Sequence, residues 1–297
     1  MTQSNNATPA TGALTHVVIV NYNAGDLLVR SVSAALGSTA PVRVTVVDNA
    51  SADSSLASLR GAHGGDQRLD IVENSANLGF AAANNIPLAA PKGDFVLLLN
   101  PDCVVAPDTV ARMLDVMHAN PSAGMAGPLI RNEDGSEQVG CRRNIPTLKT
   151  AFLRAFGLSR LFGIADFNQA GAPLPSAPAP VEAISGAFMF VRRSAMDKVG
   201  LLDDGYFLHC EDLDWCLRFT QAGYQVLFVP SVEVVHHKGA CGLSIPVTVE
   251  LHKSRGMTRF FRKFQGGGPL YWFVAAGVWV RFAFFALLAY LRRGPGR

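Results

Sequence analysis

The sequence predicts an α/β fold: a mostly parallel central sheet flanked by helices, with an apolar helical extension at the C-terminus. Three observations carry that expectation. Short β-branched or apolar runs alternate with helical patterns through the first half, which is the spacing of βαβ units. Four of those runs stop abruptly in Asn and Asp clusters, and open α/β sheets gather ligands beyond the carboxyl ends of their strands. The last acidic residue is Glu250, and the chain beyond it is basic, aromatic and apolar.

Residues 16–20 form the first predicted strand and Asp26–Leu36 the first helix. Residues 42–47 are a β-branched strand, followed by a helix over 53–60 with Ser51 as its N-cap. A short strand over 69–72 leads to an Ala-rich helix over 80–90, interrupted by Pro87. Phe95–Leu99 is the fourth strand, and Pro107 stands near the start of a helix over 108–119. The second half is less regular. Residues 158–180 are rich in Pro, Gly and Ala and read as a mobile loop. A strand resumes over 181–191, and a helix over 213–222 is stopped by Gly223. Two short strands follow at 225–229 and 232–235. The expected divisions are a disordered tail (1–14), two halves of one catalytic domain (15–125 and 126–245) and an extension (246–297).

At 297 residues, with 49% hydrophobic and 16% charged residues, the chain can bury a sizeable core. A net charge of +3 is too small to argue for nucleic acid. The C-terminal concentration of Lys253, Arg255, Arg259, Arg262, Lys263, Arg281, Arg292, Arg293 and Arg297 points instead to an anionic membrane surface. Residues 270–291 are long enough to span a bilayer, which takes ~20 residues. Arg281 near the middle costs an isolated span ~3 kcal/mol. A helix lying in the interface suits the aromatics and arginines, a true span is the second reading, and a buried or oligomer-forming helix the third; the expectation is membrane association, by either of the first two. Cys103, Cys141, Cys210, Cys216 and Cys241 are odd in number and lack CxxC spacing, which fits a reducing cytosol rather than a zinc site or disulfide framework. Residues 1–14 lack the charged-then-apolar order of a signal peptide.

The first strand ends in Asn21-Tyr22-Asn23 and the second in Asp48-Asn49-Ala50-Ser51-Ala52-Asp53. The third leads to Asn77-Leu78-Gly79-Phe80, with Asn84-Asn85 in the next helix, and the fourth ends in Asn100-Pro101-Asp102. Each Asn or Asp alone suits a turn or a cap, but four such ends on one edge suit a nucleotide's imide, ribose and diphosphate. Neither GxGxxG nor GxxxxGK[ST] is present. A divalent cation on Asp102 would then neutralise the diphosphate, with His236 of His236-His237 as a second ligand. Glu211-Asp212-Leu213-Asp214 opens a helix, where acids favour the dipole. The aromatic run Tyr206-Phe207-Leu208-His209-Cys210 before it would desolvate a carboxylate and fit it for general-base work.

Val18-Ile19-Val20-Asn21-Tyr22-Asn23, Val47-Asp48-Asn49-Ala50-Ser51, Asn77-Leu78-Gly79-Phe80, Leu99-Asn100-Pro101-Asp102, Ser185-Gly186-Ala187-Phe188, Glu211-Asp212-Leu213-Asp214 and His236-His237-Lys238-Gly239 occur in that order. Together they resemble glycosyltransferase family 2, of the GT-A fold, in its rhamnosyltransferase-like branch. The resemblance covers residues 15–265, including Lys253-Ser254-Arg255 and the run 260–264. It implies that residues 15–125 bind the nucleotide sugar and 126–245 the acceptor. Asp48 would bind the base with Asn21, Tyr22, Asn23 and Asn49 nearby, and Asn77, Gly79, Asn84 and Asn100 would line the nucleotide site. Asn100-Pro101-Asp102 stands where the family carries Asp-x-Asp, so Asp102 and His236 would hold Mg2+ or Mn2+. Asp212 would be the base, with Glu211 or Asp214 as alternates, and Ser185, Gly186 and Trp215 would form the acceptor pocket. The implied reaction is inverting transfer, with dTDP-rhamnose as donor and a polyprenyl-diphosphate-linked saccharide of O-antigen or cell-wall glycan as acceptor. The implied place is the cytoplasmic face of the bacterial inner membrane, peripheral or with one C-terminal span, with oligomers allowed. Two other classes compete. A nucleotidyltransferase making nucleotide sugars needs a basic glycine-rich loop, and Asn21-Tyr22-Asn23-Ala24-Gly25 has no Lys or Arg. A non-catalytic sugar-nucleotide or glycan-binding module would bind dTDP without turnover.

Overall fold

A computed structural model describes residues 12–155, 167–237 and 246–293. Its elements in chain order are β1 (Thr15–Asn21), α1 (Asp26–Leu36), β2 (Val42–Asp48), α2 (Ser55–His63), β3 (Leu69–Glu73), α3 (Phe80–Leu88), β4 (Phe95–Leu99), β5 (Cys103–Val104), α4 (Thr109–Ala119), β6 (Ala123–Arg131) and β7 (Arg142–Arg143). There follow α5 (Leu148–Ala155), β8 (Ala179–Pro180), β9 (Ala183–Ile184), β10 (Phe188–Arg192), α6 (Arg193–Val199), α7 (Glu211–Gln221), β11 (Gln225–His236), α8 (Pro246–Gln265) and α9 (Pro269–Arg293).

One nine-stranded sheet runs β3-β2-β1-β4-β10-β6-β11-β5, with β8 beside β11. The pairs β3–β2, β2–β1, β1–β4 and β6–β11 are parallel, while β10 is antiparallel between β4 and β6. The expected halves 15–125 and 126–245 therefore share one continuous sheet. Both faces are covered, which explains why the central strands read as unbroken apolar runs. Val17 and Ile19 of β1 join Leu28 and Val32 of α1, Leu59 of α2 and Met113 and Met117 of α4. Val18 points the other way, into the layer of Ala81, Met196, Leu213, Trp215, Phe219, Phe260 and Phe261 from α3, α6, α7 and α8.

Several sequence expectations are corrected. The strand expected over 181–191 is split into β9 and β10 by a turn at 185–187, where Phe188 N–H donates to Ser185 O at 3.3 Å. The strands expected at 225–229 and 232–235 merge into β11, which shifts register between Val229 and Glu233; Pro230, lacking an N–H, sits at that irregularity. Ser51 does not cap a helix. The second helix starts at Ser55, and Ser51 Oγ instead accepts from Asn21 Nδ2 and Asn23 N–H, both at 3.0 Å. The expected tail (residues 1–11 of it), residues 158–166 of the expected mobile loop, Lys238-Gly239 and Cys241 lie outside the described residues.

Candidate active site

The wholly buried β4 delivers Asn100-Pro101-Asp102 to the edge where β1 and β2 also end. Two-residue β5 then pairs with the end of β11, His236 opposite Cys103. His237 N–H donates to Asp102 O at 2.9 Å. This pairing brings together two side chains far apart in sequence: His236 Nε2 lies 3.0 Å from Asp102 Oδ1. With Cys103 Sγ, their ligand atoms all lie within 4.8 Å of one another. Asp102 Oδ1 is buried and accepts no hydrogen bond from any described residue. A buried, unbonded carboxylate oxygen facing an imidazole nitrogen fits a small divalent cation.

The segment 185–187 separates that pair from the acidic helix start. Asn100 N–H donates to Ala187 O at 2.9 Å on one flank, and Gly186 N–H donates to Asp212 Oδ2 at 3.1 Å on the other. Asp212 Oδ2 also meets Arg143 Nη2 at 2.5 Å, while its Oδ1 accepts the Leu213 N–H at 2.8 Å. Burial works to raise the Asp212 pKa, but the Arg143 guanidinium and these N–H donors outweigh it and hold the carboxyl below its ordinary value. Glu211 goes the other way, pushed up to about 8 by burial and the neighbouring Asp212 charge. The first negative charge of the pair therefore rests on Asp212. Glu211 Oε2 has no hydrogen-bond partner among the described residues.

Asp214, the other alternate base, is fully buried and ion-paired through both oxygens, to Arg218 Nε at 2.6 Å and Lys263 Nζ at 2.5 Å. It ties α7 to α8. Trp215, expected in the acceptor pocket, is likewise in the core: it is fully buried, and its Nε1–H donates to Gly200 O at 2.9 Å. The approach to α7 is strained. His209 and Cys210 both adopt left-handed backbone angles, φ 70° and 74°, which non-glycine residues hold only where the surroundings impose them. His209 is pushed down to about 4 by burial and the Lys253 charge. Its Nε2 has no hydrogen-bond partner among the described residues.

At the opposite flank, the predicted nucleotide residues form a hydrogen-bonded lattice. Asn21 Nδ2 donates to Asp48 Oδ1 at 2.7 Å and to Ser55 Oγ at 2.8 Å. Asp48 Oδ2 accepts Ser51 N–H at 3.0 Å, and Asn23 Oδ1 accepts Ala52 N–H at 2.7 Å. Asn49 stitches the next loop to β2. Its Oδ1 accepts from Asn74 Nδ2, and its Nδ2 donates to Asn77 Oδ1 and Gly79 O, all within 3.1 Å. Asn84 is buried and bonds back to Phe80 O of its own helix at 2.8 Å, so it serves α3 rather than the crevice. Tyr22 stands out at 45% exposure. Gly79, at φ 84°, lies against the strained loop: an added Cβ would meet Phe207 O at 2.5 Å.

Sequence reasoning missed Arg143, Gln138 and His209. The first two lie between β6 and α5, where no motif or periodicity marks them. The signal for His209 was the aromatic run that contains it.

Helices α8 and α9 complete the molecule. Phe207 stacks on His252 of α8, with ring centroids 4.4 Å apart. Residues Pro269–Leu291 are long and apolar enough to cross a membrane. Tyr271, Val274 and Ala275 pack on the core, while Trp272, Phe273, Val280, Phe284, Leu287 and Tyr290 are exposed. Arg281 pairs with Glu250 of α8.

Comparison with known proteins places this geometry. Residues 16–200 match the family model described as Glycosyl transferase family 2. The chain is 33% identical over 236 residues to the N-acetylglucosaminyl-diphospho-decaprenol L-rhamnosyltransferase of Mycobacterium tuberculosis, covering 75% of each. It is 32% identical over 168 residues to the rhamnosyltransferase WbbL of Escherichia coli, covering 54% of this chain and 61% of that one. Among solved structures it resembles GalNAc-T7 with UDP, GalNAc and Mn2+, at TM-score 0.64 and 18% identity over 85% of this chain, spanning about half (48%) of that one. It also resembles the mannosyltransferase PcManGT of Pyrobaculum calidifontis with GDP-Man and Mn2+, at TM-score 0.61 and 19% identity, covering 97% of this chain and 78% of that one.

Proposed function

The chain belongs to glycosyltransferase family 2, with a GT-A-like fold, and from that premise we propose that it is an inverting rhamnosyltransferase. The donor is dTDP-rhamnose, and the acceptor a saccharide on a polyprenyl diphosphate. The observation that carries this reading is the segment 185–187, which holds Asn100 of the Asp102 turn on one flank and Asp212 on the other. A leaving group and an attacking hydroxyl need that separation, on opposite faces of one anomeric carbon.

Residues 15–125 take the donor across the ends of β1, β2 and β4, with the exposed Tyr22 ring available to stack on the base. Residues 126–245 take the acceptor beside Gly186. Asp212, ionised at neutral pH, removes the proton from the acceptor hydroxyl. That oxygen bonds to the anomeric carbon while the carbon–oxygen bond to the diphosphate breaks, so the configuration inverts in one displacement. Glu211, raised by burial and the Asp212 charge, favours its neutral form beside it. Asp102 and His236 would hold Mg2+ or Mn2+, which supplies charge neutralisation for the departing diphosphate. The exposed apolar face of α9 and the basic residues of α8 seat the enzyme on the cytoplasmic leaflet, in the interface or with a single span.

The test is transfer from dTDP-[14C]rhamnose to polyprenyl-diphosphate-linked N-acetylglucosamine in vesicles, with UDP-N-acetylglucosamine and GDP-mannose as competing donors. Labelled lipid product of inverted anomeric configuration from dTDP-rhamnose is expected. Equal or better transfer from another donor overturns the sugar assignment, and nucleotide-sugar synthesis from dTTP and sugar 1-phosphate overturns the reaction class.

A further inference from the structure

We propose that Gln138 is a positioning residue that fixes which nitrogen of His236 faces Asp102, presenting Nε2 as a lone pair toward a divalent cation. The inference rests on the cation reading of the Asp102–His236 pair, and deepens it by naming what prepares the imidazole.

Gln138 lies in the turn between β6 and β7 and is 4% exposed. Its backbone is pinned at both ends: its N–H donates to Ile130 O at 2.8 Å, and its carbonyl accepts Cys141 N–H at 3.0 Å. Its side chain sits at 2.6 Å from His236 Nδ1 through Oε1. Which end of an amide faces a histidine normally has to be inferred from its surroundings, and here a chain of hydrogen bonds dictates it.

The chain begins at Asp134, whose carboxyl the Ser136 bonds hold below the ordinary range, so it acts as an acceptor. Ser136 O–H donates to Asp134 Oδ1 at 2.6 Å. With its only proton used, Ser136 Oγ must accept, and it does so from Asn132 Nδ2 at 2.9 Å. Asn132 therefore turns its Oδ1 toward Gln138, where it accepts from Nε2 at 2.9 Å. The same Gln138 Nε2 lies 3.4 Å from His236 O, which is also only an acceptor. Gln138 Oε1 must then be the atom facing His236, and an amide oxygen can only accept. The proton of neutral His236 is consequently on Nδ1.

Its other nitrogen carries a lone pair, pointed at a carboxylate oxygen 3.0 Å away. Without a metal a proton can lie between these atoms; a bound cation takes its place, and Asp102 Oδ1 accepts no hydrogen bond from any described residue. Four residues of one surface turn thus hold the His236 ring with Nε2 toward Asp102. A histidine whose second nitrogen donates to a fixed acceptor is the usual support of a metal-ligating imidazole.

The experiment compares wild type and Q138M. The 15N shifts of His236 are read in metal-free protein at a pH where the ring is neutral, assigned against H236Q, and Mn2+ dissociation constants come from electron paramagnetic resonance. We expect the Nδ1–H tautomer in wild type. Q138M, with no comparable acceptor, should pass to the Nε2–H tautomer donating to Asp102, and should bind Mn2+ about 10–100-fold more weakly. An Nε2–H tautomer in wild type, or a Q138M protein unchanged in both readouts, overturns the proposal. The wild-type spectrum decides the tautomer alone, so misfolding of Q138M does not shield it. Because that spectrum needs no metal, failure of wild type to bind Mn2+ is a separate result, which strikes the cation reading of Asp102.

Discussion

The two flanks of the crevice differ in how completely their polar groups are satisfied. On the donor flank, Asn49, Asn74, Asn77, Asp48 and Ser51 bond to one another and to the backbone, and Asn21 Oδ1 is the exception. On the catalytic flank, Asp102 Oδ1, His209 Nε2 and Glu211 Oε2 are buried without hydrogen-bond partners among the described residues. Left-handed non-glycine residues occur on both flanks, Asn23 and Ala50 on the first and His209 and Cys210 on the second, so the difference lies in the polar groups and not in backbone strain. Buried polar groups are ordinarily paired, and each exception asks for a reason. On the proposed function, the contrast makes the donor flank a finished scaffold and assigns the unpartnered groups of the catalytic flank to substrate, cation or proton.

Four measurements sharpen or break that contrast. The largest effect belongs to Asp212→Asn, which should lower kcat by about 10²–10⁴-fold, the range for loss of a general base, while leaving the Mn2+ dissociation constant unchanged. Wild-type turnover in this variant would move the base elsewhere. Two residues on, Asp214→Asn should instead act on stability. Arg218 and Lys263 keep other partners, so the loss is that of charged hydrogen bonds, about 1.5–3 kcal/mol, read as a lower urea midpoint. If D214N melted normally and lost only activity, the division between scaffold and chemistry would fail within a single helix turn.

Smaller again is Asn49→Ala on the donor flank. It leaves Asn74, Asn77 and Gly79 without their shared partner, so about 1–3 kcal/mol of stability should go; an unaltered urea midpoint would show that the lattice is not holding the 74–79 loop. The smallest effect is a displacement of pH dependence. Arg143 holds the Asp212 carboxyl down against burial, so Arg143→Met should raise its pKa. A base with a raised pKa is protonated at higher pH, and the acid limb of kcat/KM should move upward. An acid limb that stays in place would mean that Arg143 does not set the ionisation of Asp212.

The strand ends that meet at one edge of the sheet were legible because chemistry interrupts pattern. Asn and Asp at the ends of apolar strands break a hydrophobic run, and the break is visible in one dimension, as at Asn100-Pro101-Asp102. The sheet followed for the same reason, since buried parallel strands and amphipathic helices have different periods. What was not legible depends on short or non-periodic contacts. Two-residue β5, which seats His236 beside Asp102, has no pattern to read. Arg143 and Gln138 act through pairings made across 69 and 98 residues. Trp215 was read as a pocket residue because it stands beside Asp212 and Asp214, although its i, i+4 spacing with Phe219 marks the core face of α7, where it is buried. Ser51 has the right chemistry for a cap, but the helix starts at Ser55 and the Ser51 hydroxyl accepts from Asn21 and Asn23 instead.

One contact reaches further than its size suggests. Phe80 N–H donates to Phe207 O at 2.8 Å, immediately beyond Gly79, whose absent side chain lets the two backbones meet. Main chain resting on main chain transmits a displacement instead of absorbing it. A ligand settling on the 77–79 loop would therefore press on the turn that leads into α7 and Asp212. On the proposed function, the kinetic signature is a compulsory order of addition, with the nucleotide entering first and the lipid-borne hydroxyl second.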